Sequence, residues 1–303
     1  MTGSENENTR CGFACILGLP NAGKSTLVNA LVGAKVSIVS RKSQTTRSRI
    51  LGIVMQGDTQ IVLIDTPGIF TAEKVMEKAM VQAAWSALEG ADVIIHLVDA
   101  TDKNALTRNA VITEKLSRGQ PCLLVLNKTD RVNKPELFAL TQSLNEHFPY
   151  TATFMISALT KDGINDVLND VAQRLPAGPW HYDPEQTTDM PMRLMAAEIT
   201  REKIFDQLHQ ELPYAAFVET ENWENFNDGS VKIDQIVYVQ RDGQKAILLG
   251  KGGSKIKDIG TAARRELERL MDCRVHLKIF VKVKEDWPER EEYLRLMGLE
   301  TSQ

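Results

Sequence analysis

From residue 12 to about 175, short apolar runs alternate with amphipathic stretches. Phe13-Ala14-Cys15-Ile16-Leu17 and Leu123-Leu124-Val125-Leu126 are almost continuously apolar. Such runs suit strands buried on both faces of a parallel sheet. The pattern predicts strands at 12–17, 50–55, 60–64, 92–98, 121–126 and 152–157. It predicts helices at 24–32, 74–89, 104–118, 134–146 and 163–174. Gln56-Gly57-Asp58 is a tight turn, so 50–55 and 60–64 should form an antiparallel hairpin. The other strands read as βα units, giving a mostly parallel sheet with helices on both faces.

Residues 175–190 break the alternation. Leu175-Pro176-Ala177-Gly178-Pro179 followed by Asp183-Pro184 reads as a linker. The expected organisation is a polar, disordered start at 1–10, an α/β domain at 11–176, a linker at 177–190 and a smaller α+β domain at 191–303. In that second domain the pattern predicts a helix at 192–210, strands at 214–219 and 231–240, a helix at 255–271 interrupted at Gly260, and a strand at 275–283. A last helix should start near Pro288, because proline is tolerated in a first turn. The run 244–249 fits either a strand or a helix.

Charge sharpens this division. The 303 residues carry a net charge of −4. Residues 241–284 alone hold 12 Lys and Arg against 5 Asp and Glu, a net +7, so the remainder carries −11. One face of the second domain therefore suits an anionic partner. The four cysteines, Cys11, Cys15, Cys122 and Cys273, form no C-x-x-C pair. They read as reduced thiols of a cytoplasmic protein without a zinc site. The start lacks the apolar core of a signal peptide, and no apolar run reaches membrane-spanning length.

Residues 18–25, Gly-Leu-Pro-Asn-Ala-Gly-Lys-Ser, fit G-x-x-x-x-G-K-[ST] between a strand and a helix. Backbone N–H groups of Asn21, Ala22, Gly23 and Thr26 would cradle phosphates at the helix start, Lys24 would reach the outer phosphates, and Ser25 would hold Mg²⁺. Asp65-Thr66-Pro67-Gly68 ends a strand. Asp65 could hold the metal through water, and Gly68 could bring its N–H to the γ-phosphate. Asn127-Lys128-Thr129-Asp130 follows another strand. Asp130 could accept from guanine N1 and N2, which adenine cannot match. Asn127 would tie this loop to the P-loop, and the Lys128 stem would lie on the base. Ser157-Ala158 could present backbone N–H to guanine O6. In Gln44-Thr45-Thr46-Arg47, Thr46 is favoured over Thr45 as a metal ligand that orders with GTP.

Ile69 and Phe70 stand where many GTPases place a water-orienting glutamine. This predicts slow intrinsic hydrolysis, with Lys24, Thr46 and Gly68 as the catalytic set. A partner or second cation would then raise turnover. Asn21 is a candidate ligand for K⁺.

In the second domain, Gly250-Lys251-Gly252-Gly253 fits a G-x-x-G loop that clamps the backbone of about four nucleotides. Lys251, Lys255 and Lys257 supply charge. Ile247, Leu248, Ile256 and Ile259 are expected to floor the groove.

Together these elements resemble the Era family, bacterial GTPases with a C-terminal type II KH domain. The resemblance spans nearly all of the chain past residue 10. It rests on the motifs at 18–25, 40–47, 65–68, 127–130 and 156–158, on Glu-Leu-Pro-Tyr at 211–214 and Arg-Asp-Gly-Gln-Lys at 241–245, and on the G-x-x-G loop and 275–284. It implies GTP hydrolysis to GDP, binding of small-subunit ribosomal RNA near its 3′ end, a role in assembly of the small ribosomal subunit, and peripheral association with the cytoplasmic membrane. A monomer is expected. Ala22 and the extra Gly252 depart from the family's usual pattern. Two other readings are a passive RNA-binding adaptor and a tRNA-modification GTPase. The latter inserts its GTPase domain within a helical domain, unlike the order here.

Overall fold

The computed structural model describes residues 9–116, 119–208, 212 and 214–299. The chain forms two units. One comprises residues up to Ser37, Thr46–Asp189 and those from Gly298; the other comprises Ile38–Thr45 and Met190–Met297. Residues 1–8 of the disordered start expected at 1–10, the ends of the helices expected at 104–118 and 192–210, and most of the 211–214 motif lie outside the described residues; Thr9 and Arg10 are ordered against that expectation, the Thr9 hydroxyl donating to Gly178 O and Arg10 opening the first strand.

The first unit runs β1 (Arg10–Leu17), α1 (Lys24–Val32), β2 (Ile50–Gln56), β3 (Thr59–Asp65), α2 (Val75–Ser86), β4 (Val93–Asp99), α3 (Ala105–Thr113), β5 (Cys122–Asn127), α4 (Lys134–His147), β6 (Ala152–Met155) and α5 (Ile164–Arg174). Six strands form one sheet in the order β2-β3-β1-β4-β5-β6. Only β2 is antiparallel to its neighbour. Because β1, β3, β4, β5 and β6 run the same way, the loops after them all leave at one edge. The strands are apolar on both faces because both are covered. Ala14, Ile16, Leu63 and Val125 pack with α1 and α5, while Cys15, Leu17, Val62 and Ile94 pack with α2 and α3.

Two polar residues inside this core are satisfied. His96 is fully buried, with Nδ1 2.7 Å from the Tyr150 hydroxyl and Nε2 3.0 Å from Asn109 Oδ1. Burial pushes its pKa down to about 4, so the ring is neutral near neutral pH. Gln60, also fully buried, accepts from the N–H groups of His181 and Tyr182 and donates to the Tyr182 carbonyl. Those bonds explain a departure from expectation. Residues 177–189 are rich in turn formers, yet they strap the first unit rather than hang between units. Ile53 N–H donates to Thr187 O, and the Thr188 hydroxyl donates to Leu51 O.

The second unit runs α6 (Met192–Gln207), β7 (Phe217–Asn225), β8 (Val231–Val239), α7 (Asp242–Leu249), α8 (Ser254–Met271), β9 (Val275–Val283) and α9 (Glu291–Leu296). The sheet order is β7-β8-β9, with β8 antiparallel to β7 and parallel to β9. Ile204, Val237, Leu248 and Ile259 pack in its core. Phe217, Tyr238, Trp287 and Tyr293 form an aromatic cluster with neighbouring centroids between 5.4 and 6.4 Å. Residues 38–45 belong to this unit too: Val39 N–H donates to Glu202 and the Arg201 guanidinium donates to Thr45 O.

One alternative left open is settled here, and three expectations are corrected. The run 244–249 is helical, and Gln244 Oε1 starts α7 by accepting from the N–H groups of Gln240 and Arg241. The strand expected at 214–219 runs from Phe217 to Asn225, because pairing with β8 carries the polar stretch Glu-Thr-Glu-Asn. Pro288 lies in a 3₁₀ turn, Trp287–Glu289, ahead of the last helix. Gly260 does not interrupt α8, which is continuous from Ser254 to Met271.

Candidate functional site: a nucleotide cradle and a basic groove

The parallel strands bring four loops to one edge of the first sheet, and hydrogen bonds then join them. The amide of Asn127, at the end of β5, is 2% exposed. Its Nδ2 donates to Ala22 O in the P-loop at 2.8 Å, and its Oδ1 accepts from Lys128 N at 2.8 Å and Ala158 N at 3.0 Å. One side chain therefore braces three of the motifs. Gly23 must be glycine beside it: its φ is +99°, and a Cβ there would lie 2.3 Å from Asn127 Nδ2. Gly68 is needed for a different reason. A Cβ would come within 2.8–2.9 Å of Pro20, so the Asp65–Gly68 segment closes onto the P-loop only without one. There Ile69 N–H donates to Gly18 O at 3.1 Å.

Beneath this brace lies a hydroxyl–carboxylate cluster. Asp65 is fully buried, and its Oδ2 accepts from Ser25 Oγ at 2.7 Å, Ser37 Oγ at 2.8 Å and Thr46 Oγ1 at 3.4 Å. Ser25 and Thr46 hydroxyls are 2.8 Å apart. Thr45 points elsewhere, donating to Lys42 O, so Thr46 is the threonine brought to the cluster. Asp65 Oδ1 is buried without a partner. An orphaned carboxylate oxygen beside two hydroxyls fits a hard divalent cation such as Mg²⁺. No group of three His, Cys, Asp or Glu suited to a metal occurs among the described residues, so phosphate oxygens and water would complete the shell.

Burial biases both charged members of the cradle toward neutrality. It raises the Asp65 pKa against the pull of its hydroxyl donors and Lys24, and it lowers Lys24 to about 8. Lys24 Nζ donates to the carbonyls of Gly18 and Leu19 at 3.1 and 3.0 Å, within the P-loop. An anionic phosphate would favour the charged form of Lys24, and a cation would favour that of Asp65.

Other site residues fall as follows. Asn21 (φ +64°) is exposed. Its carbonyl accepts from Lys128 Nζ at 2.8 Å, and Lys128 also pairs with Asp99 at 2.5 Å. Burial works to raise the Asp99 pKa, but the bonds from Lys128 and Thr101 hold it below the ordinary value. Asp130 is exposed in a 3₁₀ turn, Thr129–Arg131, anchored by Thr129 on Ile156 O. The Ser157 N–H donates to Asp162 O and the Ala158 N–H to Asn127 Oδ1, so these residues brace the loop. Ile69 is 2% exposed in the core and cannot hold a water. Sequence reasoning missed Ser37 and Asp99, which carry no local motif.

On the second unit, Gly250, Lys251, Gly252 and Gly253 link α7 to the start of α8, and the three glycines have φ between +61° and +79°. Lys251 and Lys257 are exposed and Lys255 is half-buried. A groove of about 280 Å³ lies between α8 and β9, lined by Ile256, Lys257, Gly260, Thr261 and Arg264, with Leu277 and Ile279 opposite. The expected floor is partly corrected. Ile256 lines the groove, but Leu248 and Ile259 are fully buried beneath it and Ile247 is exposed at 60%.

Asn127→Ala would strand the Ala158 and Lys128 N–H groups and the Ala22 carbonyl, a cost of about 3 kcal/mol. The expected outcome is a parallel loss of GTP and GDP affinity of roughly a hundredfold, measured by calorimetry, with a lower urea midpoint. A loss confined to GTP would contradict the bracing role.

The sequence matches the family described as 50S ribosome-binding GTPase over residues 13–128 and the KH domain family over residues 211–288. It is 52% identical over 292 residues to GTPase Era of Rhizobium meliloti, covering 96% of this chain and 93% of that one. It is 50% identical over 292 residues to GTPase Era of Bradyrhizobium, covering 96% and 95%. Among solved structures it resembles Era bound to MgGDPNP and nucleotides 1506–1542 of 16S ribosomal RNA, with a TM-score of 0.91 and 36% identity over 96% of this chain and 99% of that one. A point variant of Aquifex aeolicus Era bound to GDP·AlF4− matches with the same score, identity and coverage. With the braced nucleotide loops on one unit and the G-x-x-G groove on the other, the chain belongs to the GTPase Era family.

Proposed function

We propose that this protein hydrolyses GTP to GDP and phosphate on its first unit, and that its second unit binds small-subunit ribosomal RNA near the 3′ end to assist assembly of the small ribosomal subunit. The observation that carries the first half is the Asn127 brace, which draws three guanine-nucleotide motifs around one point. The RNA half is supported by the basic G-x-x-G groove and by the Era relative bound to 16S ribosomal RNA.

In this reading the P-loop N–H groups and Lys24 hold the β- and γ-phosphates. Ser25 and Thr46, with Asp65 acting through water, would hold Mg²⁺, which when bound would supply positive charge against the phosphate oxygens. Gly68 offers its N–H to the γ-phosphate, and Asp130 selects guanine. Lys24, Thr46 and Gly68 position the phosphoryl group for in-line attack by water. With Ile69 buried in place of a glutamine, intrinsic turnover is slow. Asn21 would contribute to a K⁺ site beside the β/γ bridge. The protein acts as a cytoplasmic monomer with reduced cysteines. Peripheral membrane contact belongs to the same proposal; no helix among the described residues is long and apolar enough to cross a membrane.

Asp130→Asn should lower GTP affinity by roughly a hundredfold or more and gain xanthosine triphosphate, because the paired acceptors are lost. Competition binding with the two nucleotides checks this, and an unchanged preference for GTP would remove Asp130 from base selection. GTP turnover should be faster in K⁺ than in Na⁺, and Asn21→Ala should abolish the difference. Equal rates in both salts would remove the K⁺ site.

A further inference from the structure

Gly260 sits in the middle of an uninterrupted 18-residue helix. Its backbone does not require glycine, since its φ is not among the positive values of this chain. Packing does not require it either. A Cβ there would meet only Ile279 Cδ1 at 3.4 Å, the tip of a flexible side chain. Glycine in a helix interior is destabilising relative to alanine. Folding alone would therefore favour another residue at this position.

The groove supplies a reason. Gly260 lines it, one turn beyond Ile256 and one turn before Arg264. It lies about 10 Å along the helix from Gly253, where the G-x-x-G loop ends. A strand whose backbone is clamped at that loop would pass this stripe. The walls on either side, Ile256 on α8 and Leu277 and Ile279 on β9, are apolar, and Lys257 and Arg264 stand at the rim. Arg264 is held there by Glu268 at 2.9 and 3.1 Å.

We propose that Gly260 is a positioning residue for RNA, and that the missing side chain lets one nucleobase lie flat against the α8 backbone between Ile256 and Ile279. This rests on the RNA-binding reading above and deepens it, because it assigns a base-sized contact to a residue that folding does not need. Stability and binding should then move in opposite directions on substitution.

The test uses the full chain with Gly260→Ala and Gly260→Leu, and single-stranded RNA carrying the 3′-terminal sequence of 16S ribosomal RNA. Both variants should melt at or above the wild-type temperature. RNA affinity should fall severalfold for Gly260→Ala and at least about tenfold for Gly260→Leu, the scale of one lost base contact. A set of RNAs each lacking one base gives a second readout. At one position the abasic RNA should bind wild type and Gly260→Leu equally, because the blocked contact is already gone. The proposal is overturned if either folded variant binds like wild type, or if the deficit is the same on every abasic RNA. Wild-type protein that fails to bind the intact RNA overturns the RNA-binding reading itself, a separate outcome.

Discussion

The nucleotide site depends on one buried amide. Asn127 reaches from β5 to the P-loop and to the loop after β6, and it does so with the bonds a buried carboxamide needs to offset its desolvation. Parallel pairing brings the loops to the same edge of the sheet, but it does not fix them in contact. Gly23 is shaped around that amide, and Gly68 lets the neighbouring loop close on Pro20. The phosphate cradle and the base-selecting turn are thereby held as one body, which is what preorganised recognition requires.

Charge in this cradle is poised for ligand. Lys24 and Asp65 are both buried, and burial alone moves each toward its neutral form. A phosphate answers the first and a cation the second. The second unit uses the opposite strategy. Its lysines at 251 and 257 remain in solvent, where they can attract an anion without a desolvation cost, and its selectivity must come from the shape of the groove.

Much of this is legible in the sequence. The motifs at 18–25, 65–68 and 127–130 carry their spacing locally, and the apolar strands between them have a strong period. The tie from Asn127 to the P-loop follows from its motif, and the bond to Ala22 O is present. Ser37 and Asp99 are invisible to such reading because they act through contacts distant in sequence and sit in no pattern. The strap at 177–189 reads as a linker because turn formers report backbone shape, whereas the buried Gln60 that captures it lies over a hundred residues away. β7 runs longer than its pattern because an edge strand can be polar and still pair. Gly260 reads as a break by propensity alone, which says nothing of a helix that tolerates a glycine for the sake of a ligand.

The account turns on guanine selection by a preorganised cradle. The most direct measurement is equilibrium binding of GTP and ATP to the purified full chain in the presence of Mg²⁺. The account predicts saturable GTP binding and ATP binding weaker by at least about a thousandfold, the penalty a site built to accept two N–H bonds imposes on a base that cannot supply them. Comparable affinity for the two nucleotides would contradict it.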